Sequence, residues 1–125
     1  MKQAVIAAGN RKNFSDIEPV LEKNNFVIEW ADSGKACLAM CTDKKTIDLL
    51  IVDEHLVDMT PKQLVEKAIM TNPMINCVPV SSLAPEEFHD YFEGLGVLMQ
   101  LPGHPGEKDA QELISCVKKI LDLTG

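Results

Sequence analysis

A chain of 125 residues is the size of one ordinary domain and is long enough to enclose a core. With 46% hydrophobic and 25% charged residues, it has the composition of a globular chain, not a disordered one. A formal net charge of −7 argues against a nucleic-acid surface, which needs clustered Lys and Arg, and no apolar run approaches the ~20 residues that cross a bilayer.

The N-terminal "MKQAVIAAGN" is too short in its apolar part for a signal peptide, so residues 3–8 read as a buried strand and a cytoplasmic protein is expected. "FSDIEPVLEKN" follows as a helix. Ser15 and Glu18 have capping-box spacing there, and Pro19 falls in the first turn, where its missing N–H costs little. "FVIEWA" is a second strand, and "DSGKACLAMCTDK", residues 32–44, is a second helix. In "IDLLIVD" the apolar run Leu49–Val52 is unbroken, as in a strand buried on both faces, and it stops at Asp53.

Pro61 opens a third helix with Leu64, Val65, Ala68 and Ile69 at helical spacing. "INCVPVSS" is a fourth strand, whose Pro79 lacks a ladder donor. "APEEFHDYFEG" is a short helix closed by Gly94, and Ser81 and Ser82 are of the residue type that caps such a helix. "GVLMQLP" is a fifth strand. The last helix carries Ala110, Leu113, Ile114, Val117, Ile120 and Leu121 on one face. Strands alternating with helices over short connections predict a single α/β domain, residues 1–125, with a parallel sheet covered on both faces.

Open sheets of this kind carry their sites beyond the carboxyl ends of the strands. Here those ends are Ala8-Gly9-Asn10, Asp53, Ser81-Ser82 and Leu101-Pro102, and Asp53 alone among them is ionised. Cys37, Cys41, Cys77 and Cys116 lack paired C-x-x-C knuckles and read as small buried thiols. His55, His89 and His104 form no zinc or triad signature. Met59 and Met70 read as packing residues. "GLG" at 94–96 is too short for a dinucleotide fingerprint.

The order of elements and several strings resemble the response-regulator receiver domain of two-component signalling over nearly the whole chain. "DLLIVDEHLVDM" is similar to that family's phosphoacceptor segment, which implies that Asp53 is the phosphoacceptor position. "ADSGKACL" matches the family's turn into its second helix at Ala31 and Gly34. "VPVSS" implies that Ser81 is the switch hydroxyl, and "GLGVLMQLP" matches the fifth strand at Gly94 and Pro102. The resemblance implies a flavodoxin-like three-layer fold, with sheet order 2-1-3-4-5 and five helices.

The chain departs from the family where the chemistry lies. Ala8 and Gly9 stand where two magnesium-holding acids are usual, and a one-residue shift to Gly9 and Asn10 supplies none either. Leu101 replaces the lysine before the proline, and Leu98 replaces the aromatic switch residue. Val57 and Pro61 stand in place of the usual proline and glycine of the loop after Asp53. Mg²⁺ demands near-octahedral oxygen ligands, so its binding is expected to be weak or absent, with no other cofactor. Phosphoryl transfer relies on positioning and charge neutralisation, most of which is missing.

The expected function is therefore a receiver-like signal-transduction module with a degenerate phosphorylation site, acting through protein–protein contacts. Its partner by analogy is a histidine kinase or an effector meeting the last two helices and the strand between them, and a homodimer is compatible with this. The alternative is a working phosphorelay receiver, phosphorylated on Asp53 through a remodelled site in which Asp16, Glu54 or Asp58 supplies charge. An enzyme is not expected: His55 stands where aspartyl phosphatases need a second aspartate, and no C-x-x-C is present for thiol redox work.

Overall fold

Ala4–Ala7 and Leu49–Val52 are apolar at every position, and such segments belong in the middle of a sheet with both faces covered. The computed structural model, which describes residues 2–43 and 46–124, has them there. Strands β1 (Lys2–Ala7), β2 (Phe26–Ala31), β3 (Leu49–Val52) and β4 (Asn76–Pro79) form a parallel sheet in the order β2-β1-β3-β4. Ile6 lies opposite both Trp30 and Ile51, and Val52 lies opposite Pro79. The helices are α1 (Glu18–Lys23), α2 (Gly34–Asp43), α3 (Pro61–Thr71), α4 (Pro85–Tyr91) and α5 (Glu107–Thr124).

Side chains alternate between the two faces of a strand, so each central strand feeds two cores. Ala4, Ile6, Leu49 and Ile51 pack with Phe14, Leu21, Leu113 and Val117 on the side of α1 and α5. Val5, Ala7, Leu50 and Val52 pack with Cys37, Leu64, Val65 and Phe88 on the side of α2, α3 and α4. Ile6, Leu50, Ile51, Val52 and Val80, the residues expected at the centre, are all buried.

The expected fifth strand takes its place beside β4 but pairs with it incompletely. Leu98 donates its N–H to the Cys77 carbonyl at 2.8 Å, Leu101 to the Pro79 carbonyl at 3.0 Å, and Ser81 to the Leu101 carbonyl at 2.9 Å. These bonds match Leu98 with Val78 but Leu101 with Val80, so the fifth segment holds one residue more than its partner, as in a bulge. Pro79 is the physical cause. Its carbonyl faces the fifth segment, whereas the neighbouring Val80 N–H faces β3, so the missing N–H is missing from this last ladder.

Several local expectations are corrected. A 3₁₀ turn, Arg11–Phe14, precedes α1, whose N-cap is Ile17 without a side-chain bond, so Ser15 and Glu18 form no capping box. The turn is held instead by Asn10, whose side-chain oxygen accepts the Lys12 N–H. Pro19 does lie in the first turn. Helix α4 is capped at Ala84 rather than by Ser81 or Ser82, and the Glu87 carboxylate accepts the Ala84 N–H. Gly94 follows it at φ +84°, a left-handed conformation that suits glycine. Met59 packs against the second core, but Met70 is 83% exposed and fills nothing. On α5, Ala110, Leu113, Ile114 and Val117 are buried while Ile120 is 38% exposed. Lys44 and the side chain of Leu121 lie outside the described residues.

Candidate functional site

Asp53 follows directly on β3, and its own N–H extends the ladder to the Ala7 carbonyl at 2.9 Å. The residue is 7% exposed. One carboxylate oxygen, Oδ1, accepts the N–H of Glu54 at 2.8 Å. Burial pushes the carboxyl above its ordinary range, since removal from water disfavours the charged form. The Glu54 N–H, His55 and His104 oppose that push, and the Glu54 carboxylate adds to it.

The acids next along the loop are engaged elsewhere. Glu54 Oε2 accepts both the N–H and the hydroxyl of Ser82, each at 2.8 Å. Burial works upward on Glu54, and the two Ser82 bonds with His55 outweigh it, leaving its carboxyl below the ordinary value. Asp58 reaches the start of α2, where Oδ1 accepts the Gly34 N–H at 2.8 Å and Oδ2 the Lys35 N–H at 2.9 Å. These bonds hold its carboxyl low, first the Lys35 N–H and then that of Gly34. Both satisfy donors that a helix leaves open at its N-terminus. The Met59 side chain packs close over Gly34 and would have to move aside for a Cβ. Asp16 is exposed and lines a depression with Lys23 and Glu107.

The other expected site residues surround Asp53 unevenly. Ala8 is buried and Gly9 exposed, with nothing within 4 Å of where a Gly9 Cβ would be. Ser81 is buried, and its Oγ accepts the Leu83 N–H at 3.1 Å. Leu101 is fully buried in the core beside α1 and α5, with Leu98 packed against the same cluster. His55, His89 and His104 are exposed. Among the described residues, no three His, Cys, Asp or Glu side chains are grouped to hold a metal ion.

Sequence reasoning missed two residues. Ser82, expected at a strand end or as a cap, is the partner of Glu54, and Gln100 donates through Nε2 to the carbonyls of Ser81 at 3.1 Å and Leu83 at 2.8 Å. Neither bond has a sequence signal, because each joins segments that meet only in the fold.

No protein-family model matches the chain, and no curated protein matches it. Solved structures do. A CheY-like response regulator receiver domain protein from Methanospirillum hungatei is 21% identical with a TM-score of 0.84, over 100% of this chain and 99% of that one. A chemotaxis response regulator of Vibrio cholerae is 16% identical with a TM-score of 0.81, over 94% and 98%. A Burkholderia pseudomallei response regulator, solved with a phosphorylated aspartic acid, a calcium ion and citrate, is 15% identical with a TM-score of 0.72, over 92% and 72%. The fold is therefore the flavodoxin-like fold of receiver domains, the fifth strand present as the bulged segment beside β4.

Proposed function

We propose that this chain is a receiver-type signal-transduction module that works through protein–protein contact, with Asp53 at the phosphoacceptor position of a degenerate site. The observation that carries the reading is the isolation of Asp53. It is buried, bound to one backbone N–H, and its acidic neighbours Glu54 and Asp58 are bound to other partners.

The residues present do not fit a magnesium site. The ion takes about six oxygen ligands and is reluctant to dehydrate. Ala8 and Gly9 offer no carboxylate, and the Asn10 side-chain oxygen already holds the Lys12 N–H. The position of the charge-neutralising lysine is filled by Leu101, which lies in the core. Phosphoryl transfer depends on such charges, and Asp53 is left without them. Loss of the switch follows the same logic, since Leu98 has no aromatic ring to move.

By analogy with the fold's response regulators, the partner is a histidine kinase or an effector, met by α4, the fifth segment and α5. No helix of the described residues is long and apolar enough to cross a membrane. The test is to incubate the protein with a small-molecule acyl phosphate and Mg²⁺ and weigh it intact. The expected result is no added phosphoryl group. An adduct that disappears in Asp53→Asn would replace this reading with a working phosphorelay receiver.

A further inference from the structure

Helix α4 is held by very little of its own. It has seven residues, and Phe88 alone among them is buried, supported by Phe92 just beyond its end. A helix this short is marginal without tertiary support. Its pose therefore depends on the turn that leads into it, Ser81–Ala84, and that turn is gripped from two sides. From the loop after β3, Glu54 Oε2 takes both donors of Ser82. From the fifth segment, Gln100 Nε2 spans the carbonyls of Ser81 and Leu83. Inside the turn, Ser81 Oγ takes the Leu83 N–H.

The geometry points to a latch: Glu54 and Gln100 clamp the turn between β4 and α4 and fix α4 in one pose without any modification of Asp53. Hydrogen bonds to a charged acceptor are stronger than neutral ones, so Glu54 is the stronger jaw and Gln100 the second. Both are positioning residues, acting on α4 through the turn. The latch stands independently of whether Asp53 accepts a phosphoryl group, and no phosphoryl donor enters its test.

Amide hydrogen exchange of the unmodified chain is compared with that of Glu54→Ala, Ser82→Ala and Gln100→Leu. Glu54→Ala should speed exchange at residues 82–92 by about tenfold, the effect of losing a charged hydrogen bond, while the central strands β1 and β3 stay unchanged. Adding Ser82→Ala to Glu54→Ala should then change little, because the bond between them is already gone. Tyr91, the sole tyrosine, gives a second readout. Labelled as fluorotyrosine it should show one sharp resonance in the unmodified chain and a displaced or second one in Glu54→Ala and Gln100→Leu. Unchanged exchange at 82–92, or a rise spread evenly over the sheet, overturns the latch. So does an unmoved Tyr91 resonance in both variants.

Discussion

Asp53 Oδ1 accepts the N–H of the residue that follows it, Glu54, at 2.8 Å, and the residue as a whole is 7% exposed. A single backbone donor does not offset the burial of a charge, and burial raises the carboxyl above its ordinary value. A raised carboxylate holds its proton in the folded chain at a pH where the unfolded chain has released it. Stability is then greatest below the unfolded carboxylate range and falls as pH rises through the folded value. Asp53→Asn keeps an acceptor for Glu54 and removes the charge. Its melting temperature at neutral pH should rise by about 2–5 °C, for a gain of ~1 kcal/mol, and that part of the pH dependence should vanish. Thermal melts across pH check both; a lower melting temperature at pH 7 would mean that ionised Asp53 has a partner worth keeping.

Asp58 has the opposite sign. The N–H groups of Lys35 and Gly34 lower its carboxyl, so its contribution is present above the ordinary carboxylate value and is lost as pH falls through the folded one. Asp58→Ala should lower the melting temperature at neutral pH and flatten the acid limb of the stability curve. The amides of Gly34 and Lys35 should exchange faster in that variant. An acid limb identical to that of the unmodified chain would assign the limb to other carboxylates.

What the sequence revealed depended on how local each cause was. Leu49–Val52 is apolar without a break, so the central strand and the strand end at Asp53 could be read directly. Pro79 announced a missing ladder bond, but which neighbour lost it depends on the direction its backbone faces in the sheet, and that emerged only from the fold. Ser81 and Ser82 misled because serine suits a helix cap and a tertiary donor equally well. The partners of Ser82 and of the Ser81 carbonyl, Glu54 and Gln100, come from other strand ends. The Ser15 capping box failed for a related reason: Asn10 starts a 3₁₀ turn that uses up the segment first.

The thiols should differ sharply in reactivity. Cys37, Cys41 and Cys77 are buried in the core beside α2 and α3, whereas Cys116 on α5 is half-buried. Burial pushes Cys77 up to about 12, and Cys37 is pushed upward by its neighbour Cys41 and by burial. The thiolate is the reactive form, so an aromatic disulfide reagent at mildly alkaline pH should label Cys116 first and Cys37 and Cys77 only on unfolding, with Cys41, whose thiol the Cys37 hydrogen bond lowers against burial, in between. Mass mapping of the labelled peptides decides it. Early labelling of Cys37 or Cys77 would show that the core beside α2 opens readily.

Leu101 sets the cost of rebuilding the site. It faces Val80 across the last bridge and is fully buried with Ile6, Ile51 and Leu113. Leu101→Ala should cost about 2–5 kcal/mol, the range for a large-to-small change in a core. Leu101→Lys keeps an aliphatic stem against the same surface and puts an amine at the strand end, close to Asp53 in the sheet. If the amine reaches the carboxylate, Leu101→Lys should be less costly in the unmodified background than in Asp53→Asn, and the difference measures the pair. Gly9→Asp should be nearly neutral, because open space surrounds the new side chain, whereas Ala8→Asp puts a carboxylate where a buried methyl was. With all three changes, phosphoryl uptake from an acyl phosphate should appear, depend on Mg²⁺ and disappear in Asp53→Asn. No uptake in a triple variant that still melts cooperatively would mean that the bulged fifth segment, and not the missing side chains alone, keeps Asp53 out of reach.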